Sequence, residues 1–278
     1  MIELGKQHRL NVLRQTNDGL ILVDDQREEI LLPTNDFSGN FKIGEILNVF
    51  IYRDQNEKKV ATTIIPKITL HEFAHLQVAS ITKVGAFLDW GLEKNLLIPF
   101  SEQQQEIKEG RWYIVYLDID ETTDRLFAST YIERQLQNIH ITVKEGEAVD
   151  LLVYQKTDLG YSVIVNNEHK GLIFENEIFT TINIGDFLKG YVKKIREDNK
   201  LDISLQPIGY KKFIDVNSSN MYQTLIENNG YLTVTDKSSP EEIKKLFGLS
   251  KKAFKKSLGA LYKQKKIVIE KDGIRILY

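Results

Sequence analysis

The chain has 278 residues, of which 42% are hydrophobic and 27% charged, a composition typical of globular proteins with several small domains. It contains no cysteine, which excludes disulfide bridges and cysteine-ligated zinc. No apolar run approaches the ~18 residues that a transmembrane helix requires, and the first residues lack the apolar segment of a secretory signal. We therefore expect a cytoplasmic protein.

The net charge of −2 hides an uneven distribution along the chain. Residues 1–66, 67–143 and 144–208 carry net charges of −2, −4 and −3, whereas residues 209–278 carry 14 Lys and Arg against 7 Asp and Glu, a net +7. A basic segment of this kind favours a nucleic acid or another polyanion as the partner. The alternative is a lysine-rich helix that is merely solvated.

Three pairs of glycines repeat the same spacing of 25 residues. The pairs are Gly19 and Gly44, Gly85 and Gly110, and Gly160 and Gly185. Short apolar runs of period two lie at equivalent places around each pair, separated by turn-forming residues. Each repeat therefore predicts five short strands, with a short helical or irregular stretch between the third and the fourth. This pattern is typical of a small OB barrel.

We predict a mainly β protein with a C-terminal α+β domain. Three tandem five-stranded OB barrels occupy residues 1–66, 67–143 and 144–208. Strand four is apolar on both faces in the first two barrels, so we expect each of them to pack on a neighbour rather than to stand alone.

After Pro207 the pattern changes from strands to helices. Ser239 followed by proline, with Glu242 three residues on, predicts a helix that starts in a capping box. Ser250 is expected to cap a second helix that runs to about Lys266, and two short apolar runs around a turn end the chain. The order helix, strand, helix, turn, helix, hairpin predicts a nucleic-acid-binding winged-helix domain in residues 209–278.

The helix that follows Ser250 is rich in lysine. Lysines spaced at i, i+1, i+4 and i+5 share one helix face, and this helix is the recognition helix of a helix-turn-helix domain. Lysine provides affinity for phosphates by counterion release but little base reading, because bidentate arginines are missing. The predicted nucleic-acid contacts are Lys251, Lys252, Lys255, Lys256, Lys263, Lys265 and Lys266.

The segment 85–90, GAFLDW, and the spacing of Gly110, Val115 and Asp120 resemble the S1-type RNA-binding domain. In that family, strands two and three carry aromatic residues and a histidine that stack on bases. The resemblance implies that the first barrel has lost this face and is structural. It implies that the second barrel keeps Phe87, with Trp90 nearby.

In the third barrel the same resemblance leaves Tyr161 and Phe174 on the stacking sheet. Lys193, Lys194 and Arg196 follow beside a loop that OB barrels use for oligonucleotides. We therefore expect this barrel to contact RNA. The alternative is that Phe174 replaces a core residue and that the basic side chains are only solvated.

The three barrels and the winged helix, with residues 89–92, 123–126, 249–256 and 259–262, resemble the bacterial conserved virulence factor B family. That family is described as RNA-binding and regulatory rather than catalytic. The resemblance implies a non-enzymatic regulator that binds single-stranded RNA without a cofactor. Two alternatives remain: an adaptor that docks a protein of the transcription or translation apparatus, or a DNA-binding regulator that uses the winged helix.

Residues 71–75, HEFAH, match a zinc-protease pattern that requires both histidines on one face of a helix. The repeat register instead places His75 at the start of a barrel, so we expect no zinc site. A cluster of acidic residues follows strand four of the second barrel, and its spacing is not that of an EF-hand. We expect Asp118, Asp120, Glu121 and Asp124 to form a solvated turn.

Overall fold

The computed structural model describes the chain except residues 38, 40, 179, 207–209 and 278, and it describes residues 210–215 by their backbone alone. The predicted boundary between the third barrel and the winged helix, at 208/209, therefore lies outside the described residues. The chain forms two compact units, residues 1–136 and 137–278. None of the described helices combines the length and hydropathy that a membrane-spanning helix needs.

The first unit contains two five-stranded sheets whose strands agree with the predicted ones. The first sheet consists of β1 (Gln7–Thr16), β2 (Gly19–Val23), β3 (Glu29–Pro33), β4 (Ile46–Arg53) and β5 (Lys59–Thr62). The second consists of β6 (Phe73–Thr82), β7 (Gly85–Asp89), β8 (Leu96–Pro99), β9 (Trp112–Asp120) and β10 (Arg125–Ser129), followed by the short helix α1 (Ile132–Gln135). In both sheets the third strand lies against the fifth, which curls the sheet into a barrel around its own apolar core.

The third sheet lies in the second unit and closes completely. Its strands are β11 (Ala148–Thr157), β12 (Gly160–Val165), β13 (His169–Phe174), β14 (Phe187–Ile195) and β15 (Leu201–Ser204). The barrel closes where β13 pairs in parallel with β15, giving the order β11-β12-β13-β15-β14. The prediction of OB-type barrels is confirmed, because this strand order is that of an OB barrel.

Residues 137–143 pack on the third barrel, so the prediction that assigned them to the second barrel is wrong. Val143 belongs to the third core. The fully buried His169 lies with Nδ1 2.7 Å from the carbonyl of Gln137, and its Nε2 accepts a hydrogen bond from the backbone N–H of Thr142 at 3.2 Å. The sequence of residues 137–143 shows no strand periodicity, because individual contacts and not strand pairing hold this segment on the third barrel.

The repeated glycines have the same geometric role in every barrel. Gly19, Gly85 and Gly160 all open the second strand with φ between +144° and +146°. A Cβ atom at any of the three would lie only 2.0–2.2 Å from a carbonyl oxygen of the neighbouring strand. The repeat in the sequence therefore reflects a close approach between two strands that only glycine permits.

The first barrel packs on the second, as predicted from its strand four. Leu47, Val49 and Ile51 face the interior of the first barrel. Phe50 and Tyr52 face outwards and join the core of the second barrel, where Phe50 contacts the ring of Trp90 edge-on at 5.7 Å. The two barrels of the first unit thus share an apolar core.

The last domain is a winged helix, as predicted. It comprises α2 (Tyr210–Glu227), β16 (Tyr231–Leu232), α3 (Pro240–Phe247), α4 (Lys251–Lys263), β17 (Ile267–Ile269) and β18 (Ile274–Ile276). The capping box is present, since Ser239 Oγ accepts from the N–H of Glu242 at 3.2 Å and Glu242 accepts from the N–H of Ser239 at 3.0 Å. α4 ends at Lys263 rather than near Lys266, because Lys265 adopts φ +56°.

Candidate nucleic-acid interface

The lysines of α4 lie on the side of the helix that faces away from its core. Phe254, Leu258 and Leu261 are buried and anchor α4 in the winged-helix core. At about 100° per residue, Lys252, Lys256 and Lys263 fall on the opposite side of the helix, with Lys255 beside them. These four residues define the lysine face. α4 contains no acidic residue, and the Asp236 carboxylate lies 3.8 Å from the ammonium group of Lys255 at the edge of this face.

The other predicted lysines lie around the lysine face rather than on it. Lys251 is half-buried at the start of the helix, on the flank next to Lys255. Lys265 and Lys266 follow the end of α4, at the base of the wing, and Lys266 Nζ lies 5.5 Å from the ring of Tyr222. The prediction that the helix continues through these two residues is wrong, so they would meet a ligand from a different direction.

Gly259 lies in the middle of the lysine face, between Lys256 and Lys263. A glycine inside a helix destabilises it by about 1 kcal/mol relative to alanine. A Cβ atom at Gly259 would meet no neighbouring atom, so packing does not require glycine here. The missing side chain of Gly259 leaves a flat site among the ammonium groups, where the backbone of a bound ligand can come close to the helix.

Phe174 is half-buried at the outer end of β13 in the third barrel. The guanidinium carbon of Arg196 lies 5.6 Å from the centre of its ring, and Asp202 holds Arg196 by an ion pair of 2.8 Å. This ion pair raises the pKa of Arg196 because Asp202 accepts its hydrogen bonds. Phe174 is not part of the barrel core, so the alternative that it replaces a core residue does not hold.

Tyr161 lies on β12 of the predicted stacking sheet, but the prediction that it can stack a base beside Phe174 is wrong, because it does not share the outer face of Phe174. It pairs with Ile173, the fully buried neighbour of Phe174, and packs against the barrel core. Successive strand residues point to opposite faces, so Tyr161 points inwards where Phe174 points outwards. Its ring is half-buried at the barrel end, with Lys156 Nζ 5.3 Å from its centre.

The two remaining basic residues of the third barrel differ in their contacts. Lys193 is exposed and forms an ion pair with Glu177, which follows β13. Lys194 is exposed and lies next to a bulge where β14 pairs with β15. Among its predicted contacts, the third barrel thus presents the outward ring of Phe174 with a cation over it, together with two exposed lysines.

In the second barrel, Phe87 and Trp90 have different environments. Trp90 is only 3% exposed, and its Nε1 donates to the carbonyl of Lys94 at 2.6 Å. It is a core residue that offers no open ring face, so its prediction as an RNA contact is wrong. Phe87 is half-buried on the outer face of β7 and lines a cleft of about 450 Å³.

Sequence reasoning missed several residues of this cleft. Phe127 alternates with core residues on β10, so the period-two pattern is a signal that marks it as outward-facing. Arg53 belongs to the first barrel, and nothing in its local sequence indicates that it borders a site on the second. The missed lining residues include Arg53, Lys94, Leu97, Pro99, Arg125 and Phe127.

The HEFAH segment and the acidic cluster adopt non-helical structures. His71 has φ +66° and His75 lies within β6, so the two histidines do not share a helix face. Asp120 accepts hydrogen bonds from the N–H groups of Thr123 and Thr122, which lower its pKa. The acidic cluster thus includes an ordered turn after β9.

Comparison with known proteins gives matches at both ends of the chain. Residues 219–276 match the family described as CvfB-like winged helix domain, and residues 4–64 match the S1 domain family. The S1 match falls on the first barrel, which lacks the aromatic stacking positions. Both are domain types of nucleic-acid-binding proteins.

Relatives named conserved virulence factor B cover most of the chain. The one from Staphylococcus epidermidis is 29% identical over 245 residues, which is 85% of this chain and 82% of the relative. The one from Staphylococcus aureus is 28% identical over 283 aligned positions, covering 98% of this chain and 94% of the relative. A solved multidomain protein with nucleic acid binding domains from Streptococcus pneumoniae is 24% identical, with a TM-score of 0.43 over 99% of this chain and 98% of its own. Over most of its length, and through its winged-helix match, the chain is thus similar to proteins named conserved virulence factor B.

Proposed function

We propose that this chain is a non-enzymatic regulator of the cytoplasm that binds single-stranded RNA through its third barrel and its winged helix. The observation that carries the proposal is the lysine face of α4. Its four ammonium groups project away from the domain core, on a domain whose sequence carries a net charge of +7. Such a face binds a phosphate backbone by releasing condensed counterions.

The third barrel supplies an aromatic ring for base stacking, which the lysines of α4 cannot provide. An outward aromatic ring such as that of Phe174 can stack on any base, and Arg196 above it adds a cation next to the ring. Because Tyr161 faces inwards, Phe174 is the one of the two predicted stacking rings that remains on the outer face of this barrel. We therefore expect weak base preference and an affinity that depends mainly on phosphate contacts.

The composition of α4 argues against specific reading of duplex DNA. The planar bidentate contacts of Arg with guanine and of Asn or Gln with adenine give the sharpest reading of base edges, and α4 contains none of these three residues. Lysines on a flat helix face can contact the phosphate backbone of DNA or of RNA. The S1-type barrels in the same chain favour single-stranded RNA as the ligand.

The test is a titration of a fluorescent single-stranded RNA at several salt concentrations. In the variant Lys252→Ala, Lys255→Ala, Lys256→Ala, Lys263→Ala, we expect weaker binding and a slope of log affinity against log salt that is reduced by about 3, at about 0.7 per lost phosphate contact. The matched control removes four exposed lysines elsewhere in the domain: Lys237, Lys244, Lys245 and Lys271.

The control has the same net charge as the test variant, so it separates the position of the lysines from their number. Equal losses in both variants would mean that bulk charge, and not the lysine face, binds RNA. Unchanged binding in the test variant would contradict the proposal. Tighter binding of duplex DNA than of single-stranded RNA would instead support a DNA-binding regulator.

A protein-interaction adaptor is the second candidate, and one observation favours it. The first barrel exposes Ile43 and Ile46 near the start of β4, at 74% and 54% of their surface. Apolar side chains in that position suit a protein partner better than a phosphate backbone. Capture of a partner that survives nuclease treatment, without RNA affinity in the purified protein, would favour this function.

A further inference from the structure

Tyr262 is the most exposed of the three tyrosines whose side chains are described in the winged-helix domain. It lies close to the C-terminal end of α4 and is 55% exposed. Tyr222 and Tyr231 are half-buried, and each has a cation of the same domain over its ring. The ring of Tyr262 is therefore the tyrosine ring of this domain that is most accessible to a ligand.

The turn of α4 that precedes Tyr262 leaves room next to its ring. Aromatic side chains in a helix point back towards the N-terminus, over the preceding turn. That turn contains Leu258, which is buried in the domain core, and Gly259, which has no side chain. A Cβ atom at Gly259 would meet no neighbouring atom within 4 Å. Tyr262 and Gly259 thus border an open space on the surface of α4, which we call the α4 notch.

Lysines surround the α4 notch. Lys256 precedes it and Lys263 follows it along the lysine face. Residues seven positions apart differ by only about 20° around a helix axis, so Lys255 lies on the same side of α4 as Tyr262, about two turns before it. The Asp236 carboxylate lies 3.8 Å from the ammonium group of Lys255, at the far end of this side. An uncharged ring thus lies within a group of cations.

This combination suits a nucleotide better than an apolar protein surface. An apolar partner that covered the ring would also remove the neighbouring ammonium groups from water, which is costly for charges that remain unpaired. A nucleotide presents a flat base to the ring and a phosphate to the lysines. Bases within a duplex are stacked on their neighbours, so only an unpaired base can lie flat on a ring at the side of a helix.

We propose that the α4 notch holds one unpaired base of single-stranded RNA, stacked on Tyr262, while the lysine face binds the adjacent phosphates. The close approach of the RNA backbone at Gly259 brings the base to the ring. The inference rests on the proposed function in taking the lysine face as an RNA-binding surface. It goes further, because lysines contact the phosphates of single strands and duplexes alike, whereas the α4 notch selects single strands.

Tyr262→Leu removes the ring and keeps an apolar side chain that is favourable in a helix. In the full chain, we expect it to bind a fluorescent oligouridine roughly 5- to 100-fold more weakly than the parent protein, the range that stacking of one base provides. Affinity for a blunt-ended RNA duplex of the same length should not change. The slope of log affinity against log salt should also stay the same, because no phosphate contact is lost. Fluorescence anisotropy titrations measure all three quantities.

Two variants serve as controls for the loss of the ring. Tyr262→Phe keeps a ring that can stack and should bind oligouridine like the parent protein. Leu246→Ala removes an apolar side chain that is 46% exposed on α3 of the same domain, and it should not change the affinity. Equal losses for Tyr262→Leu and Leu246→Ala would show a general effect of the exposed apolar surface and would overturn the inference.

Gly259→Leu fills the α4 notch and leaves the ring in place. Leucine is a better helix former than glycine, so α4 should remain folded. We expect a loss of oligouridine affinity similar to that of Tyr262→Leu. The double variant should lose little more than either single variant, because both changes disable the same site. Fully additive losses would mean that the two residues act separately, and the α4 notch would then be wrong.

Photochemical crosslinking tests the contact between ring and base directly. A bromouridine-substituted oligouridine is bound to the full chain and irradiated, and the adduct is located by mass spectrometry. We expect an adduct at Tyr262 that disappears when Gly259→Leu fills the α4 notch. Adducts elsewhere on the chain, with none at Tyr262, would contradict the proposed contact.

The variant that lacks the lysine face separates this inference from the proposed function. If the proposed function fails, that variant binds oligouridine as tightly as the parent protein. If only the inference fails, that variant loses affinity and salt dependence, whereas Tyr262→Leu binds oligouridine like the parent protein. An equal loss of duplex and single-strand binding in Tyr262→Leu would mean that the ring contacts RNA without selecting single strands, and the inference would again be wrong.

Discussion

Arg53 in the first barrel and Asp124 in the second are joined by two hydrogen bonds, one to the main-chain carbonyl and one to the carboxylate, although 71 residues separate them. A third bond from Arg53 reaches the carbonyl of Glu57 and closes its own hairpin. One guanidinium thus fixes the hairpin and ties it to the neighbouring barrel. The two barrels of this unit are coupled by polar contacts as well as by their shared core.

We expect Arg53→Ala to lower the free energy of unfolding of the first unit by about 1 kcal/mol, since a bidentate but partly exposed pair contributes only modestly. Asp124→Asn should cost less, because the carbonyl bond remains. Urea denaturation of both variants measures this difference. A larger loss for Asp124→Asn would show that the carboxylate, not the backbone contact, holds the barrels together.

The buried Asp36 predicts a pH dependence of stability. Burial raises its pKa, and the hydroxyl of Tyr52 at 3.3 Å offsets this only partly. The folded state therefore binds this proton more tightly than the unfolded chain. The contribution of Asp36 to the free energy of unfolding falls as the pH rises from its ordinary pKa of 3.8 through the raised value.

Asp36→Asn removes this titration and isolates it from the other carboxylates. We expect the variant to gain stability relative to the parent as the pH rises across that range. Denaturation curves for both proteins at several pH values test the prediction. A constant difference between them would mean that Asp36 does not titrate differently in the folded state.

His169 fastens residues 137–142 to the third barrel. His169→Ala would leave a cavity and would remove partners from the carbonyl of Gln137 and the N–H of Thr142. We expect a loss of about 2 to 4 kcal/mol in the free energy of unfolding. His140→Ala, at an exposed residue of the same segment, should change stability little. Similar losses in both variants would contradict a specific role for His169.

Gly259 should show opposite effects on stability and on binding. Gly259→Ala meets no steric conflict, so it should stabilise the winged helix by up to about 1 kcal/mol. It should also weaken RNA binding, because the methyl group keeps the phosphate backbone away from the helix. Gly248→Ala serves as the contrasting variant, which should lose stability but keep its RNA affinity. Its φ of +65° makes that substitution destabilising without touching the lysine face.

Phe174 and Tyr161 test the assignment of faces in the third barrel. Phe174→Leu should weaken single-stranded RNA binding by about 1 to 3 kcal/mol through loss of ring stacking. Tyr161→Phe should leave affinity unchanged, because that ring points towards the core. Fluorescence titrations at one salt concentration compare them. A loss of affinity for Tyr161→Phe would place its hydroxyl in the interface.

Local and periodic features were predictable from the sequence alone. The three glycine pairs, the five-strand repeats and the capping box at Ser239 all appear in the structure as predicted. Each depends on interactions between residues that are close in the chain or adjacent in one sheet. Gly19, for example, is required by a carbonyl of the next strand, whichever partners surround the barrel.

The tertiary structure decided which side chains of these elements are available to a ligand. Strand periodicity shows that residues alternate between two faces, but a shift of one residue exchanges the faces. Tyr161 and Phe174 were therefore assigned to one face, although they point to opposite faces of the sheet. Trp90 is buried because Phe50 of another barrel covers it, and Arg53 borders the cleft because its hairpin docks on the second barrel. These environments depend on contacts between distant segments, and no local pattern in the sequence encodes them.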